Sequence, residues 1–213
     1  MSIRIALVDD HAMIREGLRA FLEKNTFLKV VGEAATGAEC LAMLEAWRPE
    51  VVIMDISMPD LNGIETTREI ARQWPLVKVV ILSVHSTTEH VSQAFAAGAI
   101  GYVLKESIGR ELLMAIRAAH GTRRYLSEKI EATGWRYVAS GMAKSPLESL
   151  SRRERQVLQL VVEGHASVEI AARLDLSAKT VETYRSRLMQ KLGVSDITAL
   201  VKFAIQHGLT TLG

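Results

Sequence analysis

The stretch that decides the fold is Val51–Asp60, VVIMDISMPD. Four apolar residues in a row, followed at once by Asp55, predict a strand that is buried on both faces. A carboxylate in apolar surroundings is costly unless something pairs with it. Asp55 therefore either caps a loop or stands at the mouth of the strand for chemistry, and the rest of the chain decides between these interpretations.

Four further aliphatic runs predict strands, at Ile3–Val8, Leu28–Gly32, Lys78–Leu82 and Ile100–Leu104. Segments whose apolar residues have helical spacing separate these runs. The alternation continues to about residue 120 and predicts a flavodoxin-like, doubly wound α/β domain with five parallel strands and helices on both faces.

The composition is that of an ordinary soluble globular protein, 48% hydrophobic and 23% charged. The single cysteine, Cys40, excludes an internal disulfide and fits a reducing cytosol. No signal-peptide pattern and no run of about 18 apolar residues is present, so we expect a cytoplasmic protein without a membrane partner. Residues 1–120 carry 12 basic and 15 acidic residues, whereas residues 121–145 carry 5 and 2, an asymmetry that weakly suggests a nucleic-acid partner.

Polar residues follow the predicted strands at the same end. Asp9 and Asp10 follow the first strand, Asp55 the third, Ser83 the fourth and Lys105 the fifth. The carboxyl ends of parallel strands form the binding crevice of such a sheet, so we expect these side chains to meet. Three carboxylates repel unless a cation joins them, and oxygen ligands favour Mg²⁺. The crevice is therefore predicted to receive a phosphoryl group, with Asp55 as acceptor and the lysine and serine contacting its oxygens.

Four motifs in this region resemble the receiver domain of bacterial two-component response regulators: VDDH at Val8–His11, MDISMPDLNG at Met54–Gly63, ILS at Ile81–Ser83 and GYVLK at Gly101–Lys105. The resemblance implies that a histidine kinase donates phosphate to the aspartate of the second motif. The implied Mg²⁺ ligands are Asp9, Asp10, Asp55 and a backbone carbonyl near Ser57, and the implied phosphate-binding and switch residues are Ser83, Tyr102 and Lys105.

The sequence departs from many receivers after Lys105, where Glu106 replaces a proline. A non-proline cis bond costs about 3 kcal/mol, so the geometry of this peptide stays open. Ser57 and His85 occupy positions that vary in the family and tune the lifetime of the phosphate, although His85 is more simply a residue at the rim of the crevice.

Beyond residue 120 the pattern changes. Residues 121–146 lack a clean period and are expected to form a partly helical linker between a receiver at 1–120 and a helical domain at 147–213. A capping box at Ser151–Glu154 opens the first of four predicted helices, and Ser177 and Ser195 are predicted N-caps of the third and fourth. The tight turn between the second and third helices is typical of a helix-turn-helix.

The third helix, Ala178–Leu192, has one apolar face and an opposite face that is polar and basic. Such a helix suits the major groove of DNA, but its spacing fits an ordinary solvated helix equally well.

Leu150–Val194 resembles the LuxR-type helix-turn-helix through LSRRERQVLQLVVEG, EIAARLDLS and KTVETYRSRLMQKLGV, with Tyr184 where histidine is usual. Together with the receiver, it resembles the NarL/FixJ class of response regulators. The resemblance implies base-edge contacts by Glu182, Thr183 and Ser186, and mostly phosphate contacts by Lys179, Thr180, Arg187 and Lys191.

We therefore predict a transcription regulator, not an enzyme, whose phosphorylation draws Ser83 toward the phosphoryl group and lets Tyr102 turn inward. Altered dimerisation or domain arrangement would then control binding to a double-stranded operator, with a homodimer as the phosphorylated form. One alternative is a receiver that is never phosphorylated and only mediates dimerisation for constitutive DNA binding. Another is a phosphatase with an aspartyl nucleophile, which is disfavoured because Ser57 stands where such enzymes carry a second acid.

Overall fold

The computed structural model describes residues 2–131 and 146–206. The chain divides into two compact units, Met1–Gly141 and Met142–Gly213. The elements of the first unit are β1 (Ile3–Val8), α1 (Ala12–Glu23), β2 (Leu28–Ala34), α2 (Gly37–Trp47), β3 (Val51–Asp55), α3 (Gly63–Gln73), β4 (Lys78–Ser83), α4 (Thr88–Ala96), β5 (Gly101–Leu104), a 3₁₀ helix (Lys105–Ser107), α5 (Arg110–His120), β6 (Tyr125–Leu126) and α6 (Glu128–Glu131).

Within the described residues, the sheet has the strand order β2-β1-β3-β4-β5-β6, and every pair is parallel. The predicted flavodoxin-like α/β fold is confirmed, but the predicted count of five strands is wrong. β6 pairs Tyr125 with Gly101 and Leu126 with Tyr102, inside the stretch expected to be a linker. Two residues are too few to show a strand period, so the pattern gave no sign of it. The segment 132–145 of that expected linker lies outside the described residues.

The packing of β3 explains why Val51–Met54 is an unbroken apolar run. Val52 and Met54 belong to a core on one face of the sheet, whereas Val51 and Ile53 belong to a core on the other face. A strand covered by helices on both faces must be apolar at successive positions. Asp55 is the last residue of this strand and is buried as well.

The loop after β3 folds back against the end of the strand. Gly63 N donates to Ile56 O at 2.9 Å, and the Asn62 side chain caps α3 by accepting from Glu65 N at 2.9 Å. A Cβ atom on Gly63 would lie 1.8 Å from the carbonyl oxygen of Asp55. Only glycine permits this approach, so Gly63 fixes where the end of β3 lies.

The described elements of the second unit are a 3₁₀ helix (Pro146–Ser149), α7 (Arg152–Val162), α8 (Ser167–Leu174), α9 (Ala178–Leu192) and α10 (Ile197–Gln206). The predicted capping box is confirmed, since Ser151 Oγ accepts from Glu154 N and Glu154 Oε2 accepts from Ser151 N. The Ser177 cap of α9 is also confirmed. The Ser195 cap is wrong, because the carboxylate of Asp196 accepts from Ala199 N at 2.8 Å and caps α10 one residue later.

The core of the second unit joins all four α-helices through residues such as Val157, Ile170, Val181 and Leu200. α9 contributes its predicted apolar face, with Val181 and Leu188 fully buried. The opposite face of α9 is left exposed. None of the helices in the described ranges is both long and apolar enough to cross a membrane.

Candidate functional site

The strand-end acids converge as the parallel sheet requires. β1 and β3 are neighbours, with Val8 opposite Met54, so the residues that follow both strands emerge together. Asp9, Asp10, His11 and Asp55 each offer one possible ligand atom, and these atoms all lie within 4.8 Å of one another.

Lys105 completes the cluster from the end of β5. Its Nζ lies 2.7 Å from Asp9 Oδ2 and 3.0 Å from Asp55 Oδ2, and the lysine side chain is 13% exposed. Burial lowers the pKa of Lys105, but the two carboxylates outweigh burial and raise it overall. The lysine therefore stays an ammonium that can face a negative group.

Asp55 is the buried centre of the cluster, with a side chain only 3% exposed. Burial raises the pKa of its carboxyl group to about 6, and the charge of Asp9 adds to this effect while Lys105 opposes it. Ile56 N donates to Oδ1 at 2.8 Å. Oδ2 has the ion pair with the lysine but no hydrogen bond of good geometry. Asp55 is thus a carboxylate with one oxygen held and one left for a further partner.

Two residues of the cluster had no role in the sequence analysis. His11 Nδ1 lies 2.8 Å from Asp10 Oδ1 and 3.1 Å from Asp9 Oδ1. Arg15 Nη1 donates to the carbonyl oxygen of Asp9 at 2.6 Å. The sequence position of His11, directly after the two aspartates, could have indicated that it belongs to the cluster. Arg15 contacts Asp9 only because α1 begins beside the aspartates, and no local pattern indicated this contact.

The donor set fits a hard divalent cation. Three carboxylates face a single ammonium, which leaves an excess of negative charge, and carboxylate oxygens are the ligands that Mg²⁺ prefers. Ser57 lies beside this set with an exposed side chain, whose Oγ is 3.2 Å from His85 Nε2.

Ser83 and Tyr102 both bond to the backbone of His85. Ser83 Oγ accepts from His85 N at 3.1 Å, and the Tyr102 hydroxyl donates to His85 O at 2.8 Å. Both residues are fully buried. The sequence-based picture had Tyr102 turning inward on phosphorylation, but the ring already lies inward, because this carbonyl satisfies its buried hydroxyl.

His85 lies at the rim and stacks on His90, with ring centroids 4.2 Å apart. Burial, together with the charge of Lys105, lowers the pKa of His85. The ring is therefore neutral at pH 7. The peptide left open by the sequence is trans, since the described ranges contain no cis peptide bond, and Glu106 pairs with Lys129 at 2.8 Å.

In the second unit, most of the predicted DNA-contacting residues lie on the open face of α9. Lys179, Glu182, Thr183, Ser186 and Arg187 are exposed. Thr180 is half-buried at the first turn, where its backbone N donates to Ser177 Oγ.

Lys191 is exposed as well, and its ammonium pairs with a buried carboxylate of α7. Its Nζ lies 2.7 Å from Glu154 Oε2 and 3.2 Å from the carbonyl oxygen of Ser149. The Glu154 side chain is 5% exposed, and burial acts to raise its pKa, but the bonds from Lys191 and Ser151 outweigh burial and lower it. The ion pair links the end of α9 to the start of α7, while the Lys191 side chain stays 41% exposed.

Replacement of Lys191 by methionine is expected to lower the free energy of unfolding of the second unit by about 1–2 kcal/mol, because a buried carboxylate loses its cation. The matched variant Lys179→Met removes an exposed lysine from the same helix and should stay within about 0.5 kcal/mol of wild type. Urea denaturation of the full chain measures both. Equal effects of the two substitutions would contradict the packing role of Lys191.

Comparison with known proteins assigns the chain to a family. Residues 5–117 match the response regulator receiver domain, and residues 148–204 match the bacterial regulatory proteins of the luxR family. The chain belongs to the two-component response regulators of the NarL/FixJ class, which join a receiver domain to a LuxR-type DNA-binding domain. It is accordingly a transcription regulator and not an enzyme.

Individual relatives match this chain along nearly its whole length. The response regulator UvrY of Escherichia coli K12 is 38% identical over 208 residues, which cover 97% of this chain and 95% of UvrY. A structure of RcsB from Salmonella enterica serovar Typhimurium, bound to a promoter in the presence of phosphomimetic BeF₃⁻, has a TM-score of 0.65 at 27% identity and covers 95% of this chain and 98% of RcsB. A structure of two RcsB dimers on two parallel DNAs has a TM-score of 0.61 at 26% identity and covers 97% and 99%.

Proposed function

We propose that phosphorylation of Asp55 by a histidine kinase controls binding of this regulator to a double-stranded operator. The observation that carries the proposal is the buried cluster in which Lys105 Nζ lies 3.0 Å from Asp55 Oδ2 and 2.7 Å from Asp9 Oδ2. A DNA-binding role implies a cytoplasmic location. The proposed division is a receiver at 1–120, a connecting stretch at 121–146 and a DNA-binding domain at 147–213.

In the transfer step, a carboxylate oxygen of Asp55 forms a bond to phosphorus while the P–N bond of the donor phosphohistidine breaks. Mg²⁺ held by Asp9, Asp10, Asp55 and a backbone carbonyl near Ser57 would neutralise charge on the phosphoryl oxygens. Lys105 supplies a second positive charge from within the cluster.

Ser83 connects the phosphoryl group to the rest of the receiver. Its Oγ accepts from His85 N, and in this proposal its hydroxyl proton turns to a phosphoryl oxygen. The added charge of about −2 draws this hydroxyl toward Asp55 and with it the loop after β4. Tyr102 holds the same loop by donating to the carbonyl of His85. We propose that the loop shift, rather than an inward turn of Tyr102, alters the face formed by α4, β5 and α5 and thereby the dimerisation or domain arrangement.

For DNA binding, the open face of α9 supports entry into the major groove. In this proposal the base edges are contacted by Glu182, Thr183 and Ser186, and mostly the phosphates are contacted by Lys179, Thr180, Arg187 and Lys191. A homodimer would place two copies of the helix on paired half-sites and favour a near-palindromic operator. The RcsB structures, with dimers on DNA and a promoter bound in the presence of a phosphomimetic, support this arrangement.

The test treats the full chain with acetyl phosphate and Mg²⁺ and measures its intact mass and its binding to duplexes selected from a random library. We expect one phosphoryl group per chain, no uptake when a chelator removes Mg²⁺, and tighter DNA binding after uptake. DNA binding without any phosphoryl uptake would instead support the constitutive dimerisation module. Steady turnover of small phosphate esters would support the phosphatase.

A further inference from the structure

Glu182, on the exposed face of α9, is held by two side chains that the sequence analysis did not assign. Ser167 Oγ donates to Glu182 Oε1. Arg185 Nη1 donates to Ser167 Oγ at 2.7 Å and lies 3.2 Å from Glu182 Oε1. Ser167 is the first residue of α8, so the network crosses the turn of the helix-turn-helix.

The two ends of the network differ in exposure. The Arg185 side chain is 19% exposed, whereas the Glu182 side chain is 58% exposed. An exposed glutamate ordinarily samples many rotamers, and a single surface ion pair restricts it little. Here the hydroxyl and the guanidinium converge on one oxygen from two helices. Oε2 has no contact within residues 2–131 and 146–206, so it is the oxygen left to face a ligand.

The chemistry of that oxygen selects its ligand. An ionised carboxylate only accepts hydrogen bonds, and DNA phosphates repel it, so against DNA it must face a donor on a base edge. In the major groove guanine and thymine present acceptors, and adenine sets an acceptor N7 beside its amino group, whereas cytosine presents its N4 amino donor without one. Cytosine is therefore the base that this oxygen fits best.

We propose that Ser167 and Arg185 are positioning residues that fix the Glu182 carboxylate so that Oε2 accepts from the N4 amino group of a cytosine in the operator. The inference rests on the proposed DNA-binding function and adds a specificity device to it. The network acts on the choice of base rather than on overall affinity, because the charges of the Glu182 carboxylate and the Arg185 guanidinium cancel and bring no net positive charge toward the phosphates.

The experiment is a selection of bound sequences from a random duplex library by the full chain, treated with acetyl phosphate and Mg²⁺. We expect a preferred cytosine in the wild-type motif and a change to adenine at that position for Glu182→Gln, since glutamine pairs with adenine. Ser167→Ala and Arg185→Met should keep the cytosine but reduce its preference over other bases about three- to tenfold, while Ser167→Ala, which removes no charge, should change binding to duplexes lacking the motif by less than about twofold.

Two controls separate positioning from folding. Ser167→Thr keeps the hydroxyl and should restore the cytosine preference, and Ser195→Ala, whose hydroxyl contacts Asp196, should leave it unchanged. A motif in which no cytosine responds to Glu182→Gln would overturn the inference. So would a Ser167→Ala variant that loses affinity equally for all sequences together with thermal stability. A wild-type protein that selects no preferred sequence would overturn the DNA-reading function itself.

Discussion

Replacement of Gly63 by alanine is expected to lower the free energy of unfolding of the first unit by at least about 3 kcal/mol, because the new methyl group cannot be accommodated. A Cβ at this position lies 1.8 Å from Asp55 O, 2.8 Å from Asp55 C and 3.0 Å from Ile56 Cα. All three are backbone atoms of the strand end, so no side-chain rotation relieves the overlap. The backbone itself must move, and the end of β3, which carries the proposed phosphoacceptor Asp55, moves with it.

Gly17 provides the matched control for this substitution. It lies within α1, and a Cβ there meets nothing within 4 Å. Gly17→Ala should therefore stabilise the protein by about 0.5–1 kcal/mol, which is the helix preference for alanine over glycine. Thermal unfolding of both variants, followed by far-UV circular dichroism, measures the contrast. A Gly63→Ala protein as stable as wild type would show that the loop after β3 is not closed against the strand.

The fold was largely predictable because each strand up to residue 104 contains consecutive apolar residues. Parallel strands buried on both faces leave this signal in the sequence itself. The convergence of Asp9, Asp55 and Lys105 was predictable for a related reason, since parallel strands end at one edge of the sheet. β6 left no such signal, because its two residues pair with a neighbour that the local pattern does not reveal.

Features that depend on long-range contacts were missed. The ion pair of Lys191 has its partner, Glu154, 37 positions away on another helix, so spacing within α9 could not reveal it. Gly63 reads as a turn residue, while the approach that requires glycine is made by the carbonyl of Asp55. Ser167 reads as the start of a short helix, and only the packing of α8 against α9 brings it to Glu182. The spacing of residues within one helix or strand predicts which of them share a face, but not which residues of other elements contact that face.

Asp55, the proposed phosphoacceptor, carries a carboxyl group that the fold buries. In the absence of divalent cations, Asp55→Asn is expected to raise the free energy of unfolding by about 1–3 kcal/mol at pH 7.5, since each pKa unit is worth about 1.4 kcal/mol. Burial raises the pKa of this carboxyl group from its ordinary 3.8 to about 6. Asparagine keeps the shape and removes the buried charge, and the same variant should take up no phosphoryl group from acetyl phosphate.

The direction in which stability changes with pH follows from proton binding to Asp55. Between pH 4 and pH 6 the unfolded chain has lost the Asp55 proton while the folded chain still holds it, so wild-type stability falls as pH rises through this window and the penalty is complete above it. The advantage of Asp55→Asn should therefore vanish toward pH 4 and be largest above pH 6. Urea denaturation in chelator across this pH range measures the advantage, and Asp10→Asn, which replaces a side chain that is 33% exposed, is a control that should change stability little.

Added Mg²⁺ should stabilise wild type more than Asp55→Asn and narrow the difference in stability between them, because the carboxylate that destabilises the unliganded fold is also a proposed ligand of the ion. An Asp55→Asn protein that is less stable than wild type at pH 7.5 in chelator would mean that Lys105 already compensates the buried charge, and the site would then hold no excess charge for a cation to relieve.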